Sequence, residues 1–132
     1  MLKSLFILFA FVASPAFATA WVHCSDAGGE ASFDYFATDG IDVLSVSAVT
    51  VTAADKVWAS DAANGPGEPI SIGQAFEDAD TVRIDAIDKD FHRLASVRLF
   101  KAQENDAAVM GGTLTVRGFG AWAVSCSPDG GA

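Results

Sequence analysis

The 132-residue chain is 51% hydrophobic and carries 8 Lys+Arg against 17 Asp+Glu, a formal net charge of −9. Charge of that sign repels nucleic acid and anionic lipid surfaces, and it excludes a polybasic binding role. The length suits one domain with one hydrophobic core and leaves no room for a second.

The first segment reads as a secretory signal peptide. Lys3 supplies the positive start, Leu5 to Ala13 form a short apolar run, and Pro15 ends it. Two small-x-small sites follow, Ala16-Phe17-Ala18 and Ala18-Thr19-Ala20, so the mature chain is expected to begin at Thr19 or Trp21. As a membrane anchor the run is too short to span a bilayer. Trp21, Val22 and His23 precede Cys24 where a lipid-attachment box needs small residues. Removing residues 1–20 takes away Lys3 and leaves 7 Lys+Arg against 17 Asp+Glu, a net charge of −10. Export places the protein in the periplasm or the medium. Residues 21–126 are then one domain, and residues 127–132 (SPDGGA) a flexible tail.

Within the domain, apolar residues alternate with polar ones at the period of a strand. Phe33 and Tyr35 share a face, as do Val82, Ile84 and Ala86; Ala95, Val97 and Leu99; Leu114 and Val116; and Trp122, Val124 and Cys126. Residues 43–52 (VLSVSAVTVT) are the most β-prone stretch. Their parity slips between Leu44/Val46 and Val49/Val51, which predicts a bulge or a sheet switch near Ser47. Gly, Asp and Pro clusters separate the runs. Only residues 74–79 and 103–109 are read as single helical turns. The pattern predicts an all-β sandwich of about eight antiparallel strands, with a closed barrel as the alternative. An outer-membrane barrel would need longer strands with one lipid-facing side. Cys24 and Cys126 are the only cysteines, and an even pair in an exported chain predicts a disulfide between the first and last strands.

The closing run Gly111 to Val116, then Gly118 to Cys126, resembles small exported proteins of proteobacteria, and the likeness extends back through Ile84-Asp85 and Val97-Arg98-Leu99. It implies export and no particular activity. The string Asp85 to Asp90 (DAIDKD) resembles the calcium-loop aspartate spacing of C2-type sandwiches, which implies a calcium site.

Two features are candidates for a site. Calcium needs six to eight converging oxygens, and the acidic residues Glu77, Asp78, Asp80, Asp85, Asp88 and Asp90 offer carboxylates. If residues 81–87 form a strand, it spans roughly 20 Å and splits that set, leaving Asp88 and Asp90 as the candidate metal ligands. Turn chemistry accounts for the same aspartates, because Asp caps its own backbone. Asp85 is expected to pair across strands with Arg98. Trp58, beside a Gly/Pro-rich loop, is the candidate exposed aromatic for stacking a ligand such as a sugar. His92 stands near the Asp90 turn, but no nucleophile, base and orienting group assemble into a catalytic set. The reading is a non-enzymatic envelope protein that binds an envelope protein or a small ligand and needs no cofactor. The alternative is a calcium-dependent or carbohydrate-binding module.

Overall fold

The computed structural model describes residues 20–38, 43–64 and 66–128. The expected signal segment lies outside them apart from Ala20, as do residues 129–132 of the expected tail. The alternating runs all become strands: β1 (Ala20–Asp26), β2 (Ala31–Thr38), β3 (Ser45–Ala53), β4 (Lys56–Ala59), β5 (Glu68–Pro69), β6 (Ser71–Glu77), β7 (Thr81–Ile87), β8 (Arg93–Glu104), β9 (Ala107–Val116) and β10 (Gly120–Pro128). A 3-10 turn at Ala62–Asn64 is the one helical element among the described residues. Residues 74–77, read as helical, belong to β6, and residues 103–104 and 107–109 to β8 and β9, because ladder pairing outweighs local propensity there. β10 runs through Ser127 and Pro128, which pair with His23 and Val22 of β1.

Ten strands form where the turn spacing suggested about eight. They make one sheet in the order β5-β4-β3-β2-β1-β10-β9-β8-β7-β6, antiparallel except where β5 lies parallel to β4. The sheet curls until it nearly closes, so the two layers of the sandwich are opposite walls of one sheet with β6 against β3. Its two edges, β5 and β6, are consecutive in the chain. Glu68 and Pro69 pair with β4, the Ile70 N–H donates to the Ala59 carbonyl, and the chain then crosses to pair with β7. The seam is therefore stitched at one end. Among the described residues no ladder joins β3 to β6 at the other.

Three bulges bend the sheet. Ser47 is skipped between the pairs Phe36–Ala48 and Ala37–Val46, Gly73 between the Ile72 and Gln74 pairs, and Leu94 between the Ile87–Arg93 and Ala86–Ala95 pairs. The bulge at Ser47 resolves the parity slip in the sequence. It brings Val46 opposite Ala37 and Val49 opposite Tyr35, so all four share the inner face.

The inner face is apolar: Phe33, Val51, Ile84, Val97, Leu99, Leu114 and Val116 are fully buried and form one core. The outer face carries Ser32, Asp34, Thr50, Arg83, Asp85, Arg98, Thr113 and Ser125. That arrangement, apolar inside and polar outside, is the reverse of an outer-membrane barrel. Cys24 and Cys126 face each other across β1 and β10 and form a disulfide 102 residues apart in sequence, which suits an oxidising compartment.

Candidate functional site

The strand order sorts the connections to two ends of the curled sheet. One end holds the β1–β2, β3–β4, β7–β8 and β9–β10 turns; the other holds the β6–β7 and β8–β9 turns, the start of β1 and the end of β10.

The first end is closed. Trp58 is 3% exposed, because its partner Val51 points inward and fixes the same side for it. Its ring meets Phe119 edge-on at 5.3 Å, with Lys56 Nζ 5.4 Å from the ring centroid. The expected exposed stacking platform is thus a plug. β4 has only four residues, too few for the alternation to reveal which way Trp58 faces.

Asp88 organises the β7–β8 turn at this end. Its Oδ1 accepts from the Asp90 N–H at 2.9 Å and the His92 N–H at 3.0 Å, and its Oδ2 takes Arg117 Nη2 at 2.8 Å. The His92 backbone N–H, followed by Arg117, holds the Asp88 carboxyl below its ordinary range. Ligand atoms of Asp88, Asp90 and His92 all lie within 4.8 Å of one another. Glu77 is not among them, since β7 separates it from the turn. Both oxygens of Asp88 serve the fold, so a cation there would compete with Arg117 and two backbone donors. The closed end gains a further tie where the Arg117 N–H donates to the Leu94 carbonyl at 2.8 Å. Asp85 pairs with Arg98 at 2.8 Å on the outer wall, as the hairpin reading expected. His23 and Asp34, directly opposite on β1 and β2, form a second outer pair that the sequence alone did not reveal.

The second end is open. A cavity of about 1010 Å³ runs in from it between the ends of β1, β2, β6, β8, β9 and β10. Val22, Ala37, Leu44, Val109 and Met110 give it apolar walls, and Cys126 of the disulfide lies at its side. Glu77, Asp78, Asp80 and Lys101 line it as well. Lys101 Nζ lies 3.3 Å from Glu77 Oε1, and the Lys101 backbone N–H donates to the Asp80 carbonyl at 2.7 Å. Asp78 Oδ1 accepts from the Asp80 N–H, the Thr81 N–H and the Thr81 hydroxyl, and those bonds, the Asp80 N–H foremost, keep it ionised below its ordinary range.

Tyr35 is the one residue of this lining that is deeply buried and polar. It is 3% exposed, yet it reaches the cavity. Its hydroxyl hydrogen-bonds to no described residue, while no fully enclosed polar side-chain atom among them lacks a partner; the hydroxyl therefore surfaces at the cavity wall. Burial, and secondarily the charge of Glu77, pushes the phenol well above its ordinary 10.0, so it stays protonated. Neither Asp88 and Asp90 nor Trp58 belongs to this cavity.

The chain was compared with family models, curated proteins and solved structures, and none matches it.

Proposed function

We propose that this is an exported, non-enzymatic binding protein that holds a small, largely apolar ligand in its open end. The observation that carries the reading is the cavity of about 1010 Å³ into which a 3% exposed Tyr35 presents a hydroxyl that hydrogen-bonds to no described residue. Small-molecule sites are typically concave and mostly apolar, with a few placed polar groups, and are of comparable volume. A sandwich core filled to ordinary density has no reason to keep such a space. The apolar signal-like start and the disulfide support action in the periplasm or the medium. The polar outer face supports a protein that works in water. The reading assigns no catalysis.

The test uses the oxidised mature protein and N-phenyl-1-naphthylamine, a neutral dye that brightens in apolar surroundings. The dye is expected to bind once per chain. Ala37→Trp, at a half-buried wall position near the end of β2, is expected to abolish that binding while the thermal melt moves by only a few degrees. No dye binding, or equal binding by Ala37→Trp, overturns the reading.

A further inference from the structure

We propose that the ligand is an amphipathic amine, with its apolar body along the cavity wall and its protonated nitrogen held between the Tyr35 hydroxyl and Glu77. The inference rests on the reading of the open end as a ligand site, and it adds the chemistry of the head group.

Charge sets the sign. Glu77, Asp78 and Asp80 line the cavity against the single base Lys101, and the whole chain carries −9. Lys101 balances Glu77 at 3.3 Å and leaves two carboxylates over. Asp78 is fixed in its turn by three hydrogen bonds to Oδ1, so this negative charge is built into the rim. A cleft of one sign raises the local concentration of the opposite one, so the site attracts cations and turns away carboxylates and phosphates.

Hydrogen bonding then selects among cations. A neutral tyrosine hydroxyl offers acceptor lone pairs as well as one proton. Glu77 uses Oε1 for Lys101, which leaves Oε2 to accept a second N–H. A primary or secondary ammonium can satisfy both acceptors, whereas a quaternary one has no N–H to give. Beside the polar groups the wall offers Val22, Leu44 and Met110, all partly buried against the core, which suits an alkyl or aryl body. Leaving the Tyr35 hydroxyl without a partner beneath a bound apolar group would be costly, so the ligand needs a polar atom at that depth.

The experiment compares three competitors with the same chain and different heads, octylamine, octanol and octanoate, below their micelle concentrations against bound N-phenyl-1-naphthylamine. A charge-assisted bond implies that octylamine displaces the dye at about tenfold lower concentration than octanol, with octanoate weakest. Raising the salt concentration should narrow the gap between octylamine and octanoate. Glu77→Gln and Tyr35→Phe should each remove most of the advantage of octylamine over octanol. Octanol or octanoate displacing the dye as well as octylamine overturns the amine head group while the cavity reading stands. Failure of the dye and of all three competitors to bind overturns both.

Discussion

The two ends of the curled sheet are built from the same kind of strand and end in opposite states. At the closed end, Trp58 and Phe119 fill the mouth, and Arg117 ties two hairpin turns together through Asp88 and the Leu94 carbonyl. At the open end no ladder joins β3 to β6 among the described residues, small side chains such as Ala37 line the wall, and Tyr35 reaches the cavity. The difference shows where the fold spends its polar groups. At the closed end the Asp26 and Asp88 carboxylates are consumed by turns and by Arg117. At the open end Asp80 gives its N–H to Asp78 and its carbonyl to Lys101 while its carboxylate bonds to no described residue, and the Tyr35 hydroxyl remains available.

The largest expected effect tests what the two ends share. The Cys24–Cys126 bond lies between β1 and β10 and closes a loop of 102 residues. Replacing both cysteines by serine should cost about 4–5 kcal/mol on the chain-entropy view, read by denaturant titration. Tryptophan fluorescence and dye release should report one transition; separate transitions would show that the ends fold independently. Next, Trp58→Ala should cost about 3–5 kcal/mol and leave dye affinity unchanged, whereas Met110→Ala at the open end should cost about 1 kcal/mol or less and weaken the dye. Equal losses from the two truncations would erase the contrast between plug and cavity.

Titration separates the ends more finely. Asp26 is held below 3.8 mainly by the Ala31 N–H, Asp78 mainly by the Asp80 N–H, and Asp88 mainly by the His92 N–H. A depressed carboxyl contributes stability that is present above its ordinary pKa and lost as pH falls through the lower folded value. The melting temperature should therefore hold above pH 3.8 and fall below it, with the amides of the two closed-end turns, at Ala31 and His92, losing protection together. Tyr35 works in the other direction. Its folded pKa is raised, so stability is complete below pH 10.0 and declines as pH climbs past it; Tyr35→Phe should flatten that decline. The smallest effect concerns metal. Millimolar calcium should leave the melt where EDTA leaves it, because Arg117 and two backbone N–H groups already occupy Asp88. A calcium-dependent rise that Asp88→Asn removes would reinstate a metal site at the closed end.

Much of this architecture was legible from local pattern. Alternation marks β2, β7, β8, β9 and β10; the parity slip marks the Ser47 bulge; and the even cysteine count marks the disulfide. The Asp85–Arg98 pair follows from the hairpin that joins their strands. What stayed hidden is non-local or too short to show a period. β4 and β5 have four and two residues, so neither the burial of Trp58 nor the stitching of the seam leaves a trace in the sequence. The Gln, Glu and Ala content of residues 74–79 and 103–109 suggests helix, and only pairing across the sheet makes strands of residues 74–77, 103–104 and 107–109. The cavity depends on which strand ends meet in space. Its one local signal is small residues at strand ends, Ala20, Ala37 and Ala108, where a filled core would carry larger ones.

The most direct test of the open end as the binding site is an amide chemical-shift map of the oxidised mature protein titrated with octylamine. Saturable shifts should gather at Val22, Tyr35, Leu44, Glu77, Lys101 and Met110 and leave Trp58, Asp88, His92 and Phe119 unmoved. Shifts centred on the closed end, or no saturable shift at all, would contradict the account.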